Sequence, residues 1–120
     1  RPWRIGIQHP RDPQGVLVTL ELADAAVVTS GDYERFFEVE GVRYHHILDP
    51  RDGRPADACQ SVTVVAASAA EADALATAAF VLGPEAGRRL VESRGGLALF
   101  VAADGEVSLS EDLKDRVRRP

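Results

Sequence analysis

SVTVVAASAAEADALATAAFVLG, residues 61–83, decides how the rest of the chain is read. Its first part, residues 61–67, is apolar and rich in β-branched residues, the pattern of a buried strand. It leads directly into a helix over residues 68–82. Ser68 with Glu71 three residues later forms a capping box, in which the serine oxygen accepts from a first-turn N–H and the glutamate reaches back. Helix formers then continue to Gly83-Pro84, a stop signal. Ala72, Leu75, Ala76, Ala79 and Leu82 recur at helical spacing and define one face. That face is mostly alanine, which predicts a close approach to its neighbour. Asp73 and Thr77 lie one turn apart beside it, so their side chains point to one place. Two hard oxygens so placed are ligands of the kind Mg²⁺ takes. The commoner meaning of an isolated D-x-x-x-T is a surface charge near a helix N-terminus and a filler threonine.

The surrounding composition is that of one domain. The chain has 120 residues, 45% of them hydrophobic and 28% charged, with a formal net charge of −5. A length of this order supports one modest core. The acidic balance predicts no broad basic surface, and hence no nucleic-acid partner. No apolar run is long enough to span a membrane as a helix. Cys59 is the only cysteine, so no internal disulfide forms and no zinc-type spacing exists. The chain opens Arg1-Pro2-Trp3, has no methionine and enters a strand-like run almost at once, which suggests a piece of a longer protein. Arg1 offers no N-terminal nucleophile. Lys114 is the only lysine in an otherwise arginine-rich set of cations, as expected of a GC-rich bacterial genome.

Before the central stretch the pattern is β. Residues 3–8 and 16–22 alternate, with a turn-rich loop over 9–15. Residues 25–29 form a short apolar strand that Ser30-Gly31-Asp32 breaks. A small Ser-Gly pair at a strand end lets a ligand approach the backbone, and it serves a plain turn equally well. Residues 33–39 and 42–48 predict a hairpin around Glu40-Gly41. That register pairs Val39 with Val42, Phe37 with Tyr44, Arg35 with His46 and Tyr33 with Leu48, all on one sheet face. A histidine on such a face is commonly just hydrogen-bonded, and His45 points the other way. Residues 49–55 form a tight polar turn, bent sharply at Asp52-Gly53, where Arg51 and Arg54 could meet phosphates or simply be solvated.

After the central stretch, residues 84–93 predict a second helix with Pro84 at its start, ended by Gly95-Gly96. Residues 97–102 read as a buried strand, Asp104-Gly105 as a hairpin turn and 106–109 as the returning strand. Residues 110–113 begin a short helical turn, and the arginine-rich tail, 116–120, is expected to fray. Strands, then two helices, then strands give an α+β class: an antiparallel sheet with two main helices packed on one face.

Four stretches in series carry a resemblance. They are WRIGIQHP (residues 3–10), VVTSGDYERFF (27–37), HHILDPRDGRPA (45–56), and SVTVVA followed by ADALATAAFVLG (61–83). Together, in this order and spacing, they resemble the C-terminal part of the ApbE family, the FAD:protein FMN transferases. The family's D-P-x-T-G turn here has Asp52 at the threonine position, a change expected to affect loop conformation more than chemistry. The resemblance implies that residues 1–120 are the C-terminal portion of a larger, T-fold-like ApbE domain. The family's N-terminal segments, including a G-G-x-x-K-G-type stretch that binds FAD, have no counterpart in these residues.

The resemblance also implies roles. Asp73 and Thr77 match the side-chain ligands of the family's Mg²⁺, with a backbone carbonyl ligand supplied from the N-terminal part. His46 matches the histidine of H-x-x-D-P and takes the role of general base. Leu48 matches a position against the bound FAD, and Ser30, Gly31 and Asp32 match the T-S-G-D segment near the flavin. The implied reaction is Mg²⁺-dependent protein flavinylation: FMN passes from FAD to a threonine hydroxyl of a target flavoprotein, and AMP leaves. Two other readings stay open. With water as acceptor the same site is an FAD pyrophosphatase, giving FMN and AMP. Taken alone, the chain is an inert structural part lacking half of the FAD site. Implied partners are the N-terminal part of the same protein and the target flavoprotein, with a homodimer also open. Compartment, whether periplasmic and inner-membrane-associated or cytoplasmic, depends on sequence upstream of Arg1.

Overall fold

The computed structural model describes residues 2–33, 36–39, 42–45 and 47–119. Its centre is a four-stranded antiparallel sheet in the order β3-β6-β7-β8, formed by Ala26–Gly31, Cys59–Ala66, Leu97–Ala102 and Val107–Leu109. Strand β6 is central, and six of its eight residues are apolar or β-branched and sealed from solvent on both sides. Its side chains alternate between two cores. Val62, Val64 and Ala66 face a helical layer, while Val65 faces a second sheet.

The helical layer contains α1, Ala69–Leu82, and α2, Pro84–Ser93. Ala72, Leu75, Ala76, Ala79 and Phe80 are the buried face of α1. Three alanines there bring the helix close to the strands, as its sequence predicts. The expectation fails at Leu82, which is 46% exposed, while Phe80 is fully buried in its stead. Leu82 is the last residue of the helix, where the chain turns away into α2, so helical spacing no longer implies contact. Gly83, at φ 92°, makes that turn. Gly87 of α2 sits where a side chain would collide with the backbone of Ala79, so the two helices cross at close range.

The other face of the central sheet is covered by β1 (Trp3–His9), β2 (Asp12–Leu22) and β9 (Val117–Arg118), in the order β1-β2-β9. Ile7, Val18, Leu20 and Leu22 meet Val65, Leu99, Val101 and Leu113 in this second core. The helices do occupy one face, as expected, and a sheet occupies the other. Strand β2 starts at Asp12, inside the expected loop, because the first hairpin continues through register shifts at Gln8. The C-terminal tail is not simply frayed. Leu113 of the 3₁₀ helix Glu111–Arg116 is buried, Val117 pairs with Leu20, and Arg118 bridges Glu21 at 3.3 Å.

A separate two-stranded ribbon, β4 (Phe36–Val39) and β5 (Val42–His45), has the predicted register, with Phe37 opposite Tyr44 and Val39 opposite Val42. Arg35 and His46, and with them their expected pairing, lie outside the described residues. Leu48 does not pair with Tyr33. It forms an isolated antiparallel bridge with Pro55, because the chain bends back through residues 49–54.

Candidate functional site

The N-terminus of α1 is set by Ser68, whose Oγ accepts from the Glu71 N–H at 3.2 Å. This capping starts the helical phase that carries Asp73 and Thr77. Glu71, Ala74, Leu75 and Ala78 line the crease between α1 and two residues across it, Leu90 of α2 and Arg94 just past its end. Asp73 and Thr77 therefore lie on the opposite flank, at 100° per residue around the axis. Both are exposed. The Thr77 hydroxyl donates to the Asp73 carbonyl at 3.1 Å. This back-bond turns the hydroxyl proton toward the helix and leaves oxygen lone pairs facing outward. A carboxylate and a hydroxyl oxygen presented this way fit a hard divalent cation. They do not complete its shell: among the described residues no group of three or more His, Cys, Asp or Glu could hold a metal.

Next to Thr77 runs an apolar groove of about 670 Å³, lined by Leu48, Pro50, Ala74, Thr77, Ala78, Val81 and Leu82. That volume lies in the range of small-molecule sites. Leu48 is 55% exposed, and with the half-exposed Leu82 it puts two large aliphatic side chains into the groove. The structure thus brings Leu48 and Thr77 to one place, with Asp73 on the same flank one turn away. His46, two residues before Leu48, lies outside the described residues.

The turn that presents Leu48 and Pro50 is held by its own hydrogen bonds. Asp49 N–H donates to the Arg54 carbonyl at 2.7 Å, and Gly53 N–H donates to the Asp49 carbonyl at 2.8 Å. Gly53 has φ 70°, as the Asp-Gly bend requires. The Arg51 side chain binds the Asp49 carboxylate through Nε and Nη2, the latter at 2.6 Å. The Arg51 side-chain and backbone donors hold the Asp49 carboxyl down at about 2. Arg51 in this state is a brace for the turn.

Ser30, Gly31 and Asp32 stand at the end of β3. Ser30 pairs with Val62, a helix-side residue, so its side chain is on the sheet face beneath α1. The space beside Gly31 is taken by the protein's own Tyr33 ring. Asp32 is buried, and Arg11 grips its carboxylate with two hydrogen bonds of 2.7 Å. Nothing local in the sequence links Arg11 to Asp32, which is 21 positions away. Val81 and Pro50 of the groove carry no pattern that marks them, and Leu82 reads as core, because an exposed apolar residue at a helix end has the same spacing as a core residue. Cys59 is buried, and desolvation raises its thiol to about 12, so it is no nucleophile at neutral pH.

Comparisons with known proteins bear on the chain as a whole. A family model for the ApbE family matches residues 1–101. The FAD:protein FMN transferase of Treponema pallidum is 48% identical over 122 residues, covering 97% of this chain and 33% of that protein. The enzyme of the same name from Escherichia coli K12 is 37% identical over 107 residues, covering 88% of this chain and 30% of its own length. A crystal structure of the ApbE protein of Thermotoga maritima superposes with a TM-score of 0.88 at 45% identity, over 98% of this chain and 39% of that one. The flavin transferase ApbE of Vibrio cholerae gives a TM-score of 0.76 at 38% identity, over 96% and 38%. The chain spans about a third of the length of the curated relatives it matches.

Proposed function

The chain belongs to the ApbE family, and on that premise we propose that it forms the metal-holding and flavin-facing part of an FAD:protein FMN transferase. Its relatives are named for that activity. The observation that carries the reading is on α1: Leu48 and Thr77 line one apolar groove, and the exposed Asp73 lies one helical turn from Thr77. An apolar trough next to hard oxygen donors suits a molecule with a flat aromatic end and a pyrophosphate.

In this reading a threonine hydroxyl of an acceptor flavoprotein attacks the FMN-side phosphorus of FAD. The threonine O–P bond forms, the bond to the AMP phosphate breaks, and AMP leaves. Asp73 and Thr77 would hold Mg²⁺, which when bound neutralises phosphate charge. Thr77 is prepared for this because its proton is engaged by the Asp73 carbonyl. His46 accepts the hydroxyl proton; an imidazole is the side chain whose unperturbed value, about 6.5, suits a base working near neutral pH. Leu48 and Leu82 exclude water along the apolar wall. The N-terminal part of the full-length protein supplies the remaining FAD contacts.

The test uses the full-length protein, FAD, Mg²⁺ and a threonine-bearing acceptor peptide, read by peptide mass. Wild type should add FMN to the peptide and release AMP. His46→Ala should abolish transfer and still bind FAD. Release of FMN and AMP with no labelled peptide overturns the transferase reading in favour of the pyrophosphatase. Loss of FAD binding in His46→Ala removes His46 from the base role.

A further inference from the structure

The groove beside Thr77 has two walls of different construction. One is α1, which contributes Thr77, Ala78, Val81 and Leu82 and is held down by its buried inner face. The other is Leu48 and Pro50, which stand on a loop. Both ends of that loop are rooted in the helix-side core. Ile47 and Ala56 are buried there, and the Ala56 N–H donates to the Ile47 carbonyl at 2.9 Å. Between these anchors Leu48 and Pro50 are exposed, so burial does not place them. Their position has to come from bonds within the loop.

Asp49, which lies between Leu48 and Pro50 in the chain, supplies those bonds with its N–H, its carbonyl and its carboxylate. The N–H donates to the Arg54 carbonyl at 2.7 Å, and the carbonyl accepts from the Gly53 N–H at 2.8 Å. The carboxylate accepts from the Arg51 N–H at 2.9 Å, and from the Arg51 guanidinium through Nε at 3.0 Å and Nη2 at 2.6 Å. This two-pronged grip is open to arginine and not to lysine. Pro50 narrows the choices further, because it fixes its own φ and keeps Asp49 extended. The Asp49 side chain is 14% exposed and that of Arg51 73%. An ion pair with so exposed an arginine adds little to the stability of the whole fold. Its effect is on the shape of the loop.

We propose that Asp49 is a positioning residue of the flavin groove, with Arg51 as its clamp. The pair fixes the Leu48–Pro50 wall opposite α1 and so sets how tightly the groove takes FAD. Arg51 acts on the flavin through Asp49 and not as a phosphate ligand. The inference rests on the transferase reading above and adds to it two residues from outside α1.

The test measures the Kd for FAD by flavin fluorescence, and FMN transfer, in the full-length protein below the melting temperature of each variant. Asp49→Ala, which loses every carboxylate bond, should raise the Kd about tenfold, with the loss in transfer falling on KM more than on kcat. Arg51→Ala should raise it only about threefold, because the residue 51 N–H still reaches Asp49, and Arg51→Lys should recover part of that loss. Asp49→Ala combined with Arg51→Ala should be no worse than Asp49→Ala alone, since Arg51 works through Asp49. Losses that multiply in the double variant overturn the proposal. So does a loss in Arg51→Ala as large as that in Asp49→Ala, which would make Arg51 a direct ligand of the phosphates. An Asp49→Ala protein that melts earlier but holds FAD like wild type overturns it too, since the loop would then be structural only. A wild type that binds FAD and transfers no FMN removes the transferase reading alone, and the order of the Kd values still decides the proposal. A full-length wild type that binds no FAD overturns both.

Discussion

The two sides of α1 are built to opposite rules. Its inner face is Ala72, Leu75, Ala76, Ala79 and Phe80, all buried against β3 and β6. Small side chains bring the helix down onto the sheet, and one large ring fills the remaining space. The outer flank keeps Asp73 and Thr77 in solvent, and Thr77 borders an apolar groove. Nothing on that flank is needed to bury the inner face. The difference teaches where to look for function: residues that the packing of the fold does not require, gathered on one side of an element that the packing holds rigid.

The comparison breaks first if the inner face is not the source of stability. Phe80→Ala removes a fully buried ring from a core already lined with alanines, which have no bulk with which to fill the gap. It should cost about 3–5 kcal/mol, read from the urea midpoint. A loss under about 1 kcal/mol would mean that the helix is not held by that face.

The outer flank should respond in the opposite sense. Asp73→Ala in the full-length protein should leave the urea midpoint within about 0.5 kcal/mol of wild type. Its rate of FMN transfer should fall about 100-fold and lose its dependence on added Mg²⁺. An unchanged Mg²⁺ requirement takes Asp73 out of the site and erases the functional half of the contrast.

The smallest effect concerns the turn that supports Leu48 and Pro50. The Asp49 carboxyl is depressed to about 2, chiefly by the Arg51 side chain and then by its backbone N–H. A depressed carboxylate stabilises the folded state above its unfolded value of about 3.9. That contribution fades as pH falls from there through about 2. Carboxyl NMR titration should show Asp49 ionising well below the ordinary aspartate value, and Arg51→Ala should return it toward that value. An Asp49 that titrates normally in the wild type would show that Arg51 is free to meet phosphate.

Much of this molecule is legible in one dimension because its rules are local. The Ser68 cap, the Gly83-Pro84 break, the Gly53 and Gly105 bends and the Phe37–Tyr44 register each depend on a few adjacent residues, and each is present. Asp73 and Thr77 share a flank for the same reason, since four residues make about one helical turn. Leu82 shows where such rules stop. Its spacing from Ala79 and Leu75 is that of a core residue, yet the helix ends there and no strand lies beneath it. The tail misleads in a similar way, because Val117 and Arg118 are ordered by β2, a strand almost a hundred residues earlier.

By itself, then, the sequence disclosed most helices and strands, the α+β class and the pairing of Asp73 with Thr77, because backbone geometry and side-chain period act over a turn or a strand; the family came from the resemblance of four stretches in series. Only the tertiary structure decided that a second sheet, not solvent, covers the far face of β6. It also decided that Leu48 shares a groove with Thr77 and that Arg11 closes on Asp32. Those meetings depend on how layers stack and where chains reverse. Many distant residues set these together, and no spacing along the chain records them.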